Sequence, residues 1–151
     1  MKLSFLCDMH RNQLESKTAQ AIRFWQDGYD TAQFFNEQRQ WAEAVPHAGC
    51  AFEIAEILIS NREIDTAVAY EWFFAVTKLL VDALEGLGFN FEATQVLGMA
   101  ISRFDRELTK VNSNKTLILD YLLKLHWSEN FSILQNESHD FSNNNSIFSV
   151  H

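Results

Sequence analysis

Asp65-Thr66-Ala67-Val68-Ala69-Tyr70-Glu71-Trp72-Phe73-Phe74-Ala75-Val76-Thr77-Lys78-Leu79-Leu80-Val81-Asp82-Ala83-Leu84-Glu85-Gly86-Leu87-Gly88 decides between helix and strand for this chain. The run is far longer than a strand, contains no proline, and holds Val68, Tyr70, Phe73, Val76, Leu80 and Leu84 at steps of two to four residues. Asp65 or Thr66 supplies an N-cap, and Gly86-Leu87-Gly88 supplies a stop, because glycine takes positive φ at little cost. A helix to about Leu87 follows. With apolar residues on most of its sides, it is expected to be the central, most buried element.

Working outward, Ala21, Ile22, Trp25, Tyr29, Ala32 and Phe35 place a first helix from about Ser16 to Glu37. Trp41, Ala44, Ala48, Ala51, Phe52, Ala55, Leu58 and Ile59 place a second, to about Ser60. Pro46 lies inside it, so that helix either begins near Val45 or kinks there. After the central helix, a fourth runs from about Phe91 to Val111, and Asn112-Ser113-Asn114 separates it from a fifth over Lys115 to Trp127. The expected domain is therefore residues 1–127, with no sheet beyond a short strand at Lys2–Leu6. Residues 128–151, with six Ser, five Asn and no Lys or Arg, read as a mobile or loosely packed tail.

Five glycines and one proline are too few for a chain of many tight turns, which excludes most all-β architectures. A formal charge of −8 repels a phosphate backbone and an anionic bilayer surface, so neither nucleic acid nor a membrane is an expected partner. The apolar start at Leu3 to Leu6 is cut short by Asp8 and His10, unlike a secretory leader, and the chain is expected in the cytoplasm. There Cys7 and Cys50 stay thiols.

Two helical hairpins joined by short connections, with small residues recurring where helices approach, are carried by Ala32-x-x-Phe35, Trp41-x-x-Ala44 and Ala51, and again by Val81-x-x-Leu84, Gly88, Ala93 and Ala100. Over residues 18–111 this resembles the tetratricopeptide (TPR) class of helical repeats. Ala32 and Val81 lie 49 positions apart, whereas the class repeats every 34 or so residues. The tryptophan and Leu-Gly pair expected early in a repeat are absent. The resemblance implies an all-α fold of antiparallel hairpins stacked in a right-handed array; a four- or five-helix bundle is the alternative. It also implies a partner-binding face on the first helix of each hairpin. That face would present Gln26, Tyr29, Gln33, Asn36 and Glu37, then Lys78, Asp82 and Glu85. Amides that donate and accept suit a peptide backbone, and Tyr29 adds apolar area with a polar tip. The basic clamp by which some TPR domains hold a terminal carboxylate is represented only by Lys78.

One constellation offers chemistry. Cys7-x-x-His10 and His47-x-x-Cys50 together make the ligand set of a closed zinc site. The inverted order fits no common finger, and Ala48 and Ala51 beside Cys50 suit helix packing, so no metal or other cofactor is expected. Phosphate-cradling glycine loops, a hydrolase elbow and paired Glu-x-x-His motifs are all missing, and no catalytic residue is assigned. The reading is a protein–protein interaction module, adaptor, chaperone-like or regulatory, with a small helical-bundle metalloprotein or enzyme built on Cys7, His10, His47 and Cys50 as its alternative. The fifth helix, with Leu117, Ile118, Tyr121, Leu122 and Leu125 on one stripe and Leu119, Leu123 and Trp127 elsewhere, is expected to be covered by a client, by a second copy in a homodimer or by the tail.

Overall fold

A computed structural model describes residues 3–129 as six helices in sequence: α1 (Asp8–Ser16), α2 (Thr18–Glu37), α3 (Trp41–Ile59), α4 (Thr66–Gly86), α5 (Asn90–Leu108) and α6 (115–129). The all-α expectation holds, and the described residues contain no strand. The short strand allowed for at Lys2–Leu6 does not form among the described residues. Leu3 to Leu6 are irregular and direct backbone N–H groups at a side chain instead, while Lys2 lies outside the described residues. Most of the expected tail, from residue 130 on, also lies outside them; Ser128 and Glu129 close α6.

The expected first helix is α2, and an unexpected helix, α1, precedes it across Lys17, whose φ of −132° and ψ of 82° break the spiral. α1 escaped the periodicity reading because it is polar, with Leu14 as its one buried residue. α3 starts at Trp41 and runs through Pro46. The helical bond that Pro46 cannot make would have gone to the carbonyl of Ala42, an exposed residue.

α4 begins as its cap residue dictates. The Asp65 carboxylate accepts from the N–H groups of Ala67 and Val68 at 2.9 and 3.3 Å, satisfying two donors of the first turn. Gly88 ends the connection with φ of +79°. The α2–α3 turn uses Arg39 in the same region, at φ 57°, where a side chain is strained.

α3 packs against both α2 and α4, α5 packs against α4, and α2 also reaches α4. α4 is not the most buried element alone: from Ala48 to Ile59 all of α3 except Cys50 and Glu56 is buried, because helices cover it on two sides. Aromatic rings join the layers. Phe52, Phe73, Phe104 and Tyr121 form a chain from α3 through α4 and α5 to α6, with centroids 5.1, 5.4 and 5.4 Å apart. A second seam, Trp25 on Trp72 at 4.5 Å and nearly parallel, joins α2 to α4. Among the described residues no helix is long and apolar enough to cross a membrane.

Candidate binding surfaces

The face expected on the first and third helices lies on α2 and α4. Its residues can be placed by the 100° step of the helix. On α4, Trp72 turns to α2 and Phe74 packs, tilted, on Tyr121 of α6 at 4.8 Å; Lys78, Asp82 and Glu85 fall between these directions, opposite the buried side. On α2, Gln26, Gln33 and Glu37 fall just beyond the side that carries Trp25 and Tyr29. These six residues are exposed and border the tryptophan seam.

Tyr29 and Asn36 are half-buried. Tyr29 stacks on Trp25 at 5.0 Å, and desolvation, helped by Asp30, raises its hydroxyl above the ordinary range. Desolvation and the neighbouring Glu85 raise the Asp82 carboxyl, against the pull of Lys78. The Lys78 ammonium stands 5.9 Å from the Phe74 ring centroid, and Lys124 of α6 approaches the same ring at the same distance. A strip of half-buried aromatic edges, ringed by amides and charges, thus spans α2, α4 and α6.

Cys7 and His10 meet at the start of α1, Sγ to Nδ1 3.1 Å, where both are exposed. Cys50 points elsewhere: its thiol donates to the Phe5 carbonyl at 3.7 Å, and burial, then Glu53, raises its pKa, which disfavours the thiolate that a metal or a nucleophilic role needs. His47 stacks on Phe35 at 5.9 Å. His10, His47 and Cys50 do line one cleft of about 660 Å³ between α1, α2 and α3, along with Gln20, Phe24 and Ile54. Among the described residues, no group of three or more His, Cys, Asp or Glu stands close enough to hold a metal ion.

A third feature is Glu53. Its side chain is buried in the middle of α3, where Oε1 accepts from the Phe5 N–H at 3.0 Å and Oε2 from the Leu6 N–H at 2.6 Å. Arg11 of α1 completes its surroundings at 3.4 Å. One turn earlier, Gly49 leaves room for the Phe5 ring; a Cβ there would overlap that ring. No motif in the sequence singles out Glu53. The available signal was an acid between Phe52 and Ile54 in an apolar run, four positions after a glycine, so that both share one face.

On α6, Ile118, Leu122 and Leu125 are buried, whereas Leu119, Leu123 and Trp127 are 53%, 63% and 71% exposed. Their spacing of four makes one apolar stripe facing away from the rest of the molecule. Comparison with protein-family models, with curated proteins and with solved structures gave no match.

Proposed function

We propose that this chain is a protein–protein interaction module, adaptor, chaperone-like or regulatory, whose hairpins α2–α3 and α4–α5 stack in a right-handed TPR-like array. Its partner is a peptide segment lying across α2 and α4 and continuing onto α6. The observation that supports this is the side-by-side placement of α2 and α4 through the Trp25–Trp72 seam, with α3 packed against both. In a stacked array the first helices of successive hairpins neighbour one another in this way, and their shared face stays open. Here that face offers aromatic edges for apolar contact and Gln26, Gln33 and Lys78 for hydrogen bonds, the usual mixture of an interface.

The test is selection of binders from a displayed library of random peptides on the intact chain, followed by mapping of the selected peptide through backbone amide shifts. The expected footprint covers α2, α4 and α6. Gln26→Ala, Gln33→Ala and Lys78→Ala combined should weaken that peptide at least about tenfold, or about 1.4 kcal/mol, at unchanged melting temperature. Selected peptides that all map to other faces, or full affinity in the triple variant, would refute the reading.

A further inference from the structure

The contacts around Glu53 hold the N-terminal segment against α3. Two successive backbone N–H groups converge on one carboxylate, an arrangement in which a curled backbone cradles an anion. Backbone contacts of this kind recognise a peptide regardless of its sequence, and a ring seated over a glycine adds the side-chain preference. Phe5 over Gly49 is such a ring, and Leu3 beside it reaches the space between α3 and α5, against Phe52, Leu80, Val96 and Met99.

The trough that holds Leu3–Leu6 adjoins two clefts. Beyond Leu3 it opens into a cleft of about 590 Å³ between α3 and α5, edged by Glu56, Gln95, Met99 and Arg106. Beyond Leu6 it opens into the cleft of about 660 Å³ between α1, α2 and α3. Each extension holds a buried amide oxygen without a hydrogen-bond partner, Gln95 Oε1 in the first and Gln20 Oε1 in the second. Buried acceptors are normally satisfied, so rotation of either side chain into its cleft would let it accept an N–H donor of a longer ligand.

We propose that the α3 trough is a second peptide-binding site, distinct from the α2–α4 face, and that residues Leu3–Leu6 occupy it in cis as a built-in competitor. Its external ligand is a peptide segment of the same chemistry: two successive backbone N–H groups for Glu53, an aromatic ring for the Gly49 seat, and an apolar side chain two residues before that ring. The tethered segment acts at an effective concentration on the order of millimolar, so an external segment binds only in proportion to the fraction of chains whose own segment is displaced.

The probe is a labelled peptide copying residues 1–7 with Ser in place of Cys7, followed by fluorescence anisotropy on the full-length chain. Phe5→Ala removes the competing ring, and this variant should bind the peptide at least about tenfold more tightly than the unaltered chain. Phe5→Ala/Gly49→Ala places a methyl in the vacated seat without crowding its own chain, and should return affinity to the level of the unaltered chain or below. Equal affinity in Phe5→Ala and the double variant would overturn the proposal, as would a folded Phe5→Ala chain that binds no better than the unaltered one. Should Phe5→Ala fail to fold, the unaltered chain decides. Excess peptide should accelerate hydrogen exchange at the Phe5 and Leu6 amides, and unchanged exchange there would overturn the proposal.

Discussion

Glu56 shows how the environment of one residue becomes a stability term. It is half-buried on α3, and desolvation, with a lesser push from Glu53, raises its carboxyl pKa above the ordinary 4.5 although Arg103, Arg11 and Arg106 pull the other way. A raised acid binds its proton in the folded chain before it does so in the unfolded one, so its contribution to stability increases as pH falls from the raised value towards 4.5 and is constant below that. Near neutral pH the charged carboxylate opposes folding. Glu56→Gln is therefore expected to melt higher than the unaltered chain near neutral pH, and the gap should close as the pH is lowered; calorimetry across that range checks both. At this scale the sequence was partly legible. The spacing of Gln26, Gln33 and Glu37 placed them outward, but it could not show that Tyr29 leans on Trp25 or that Glu53 serves two N–H groups 47 and 48 positions away. Such partners come from elements distant in the chain.

Helices here meet through glycines as well as large side chains, and two of them make opposite predictions. Gly86 lies at the end of α4 with the Trp41 ring packed where a Cβ would stand, so Gly86→Ala forces the ring or the helix to move. Overpacking of this kind costs about 1–3 kcal/mol. Gly98, in the middle of α5, has open space around its Cβ position, so Gly98→Ala should gain helix propensity and stabilise by about 0.5–1 kcal/mol. Urea denaturation of the two variants beside the parent would show the midpoint falling for the first and rising for the second. Elements with a strong apolar period were legible from sequence: α3, α4 and α5 lie within a few residues of their expected bounds. α1 was not, since a helix held by Leu14 and by Arg11 on Glu53 depends on what it docks against rather than on its own pattern.

Across the molecule, α6 separates residues that support the fold from residues available for contact. Ile118, Leu122 and Leu125 belong to the core, and each truncation to Ala should cost about 2–5 kcal/mol. Leu119, Leu123 and Trp127 are exposed, so replacing any one with Lys should shift stability by less than about 0.5 kcal/mol. If the stripe pairs with a second copy, sedimentation of the intact chain gives a concentration-dependent dimer that the triple Lys variant lacks; a monomer in both leaves the stripe for another partner. The sequence by itself determined the all-α class, the succession of helices from α2 to α6 and the two sides of α6, because these follow from a period of 3.6 residues, scarce turn residues and local caps. Tertiary structure alone decided that Trp25 meets Trp72, that Cys7 and Cys50 turn to different partners, and that the N-terminal residues lie along α3 on Glu53. These depend on how helices far apart in the chain settle against one another, and burial of the same apolar area admits several such packings, among which only specific shape and polar pairing choose.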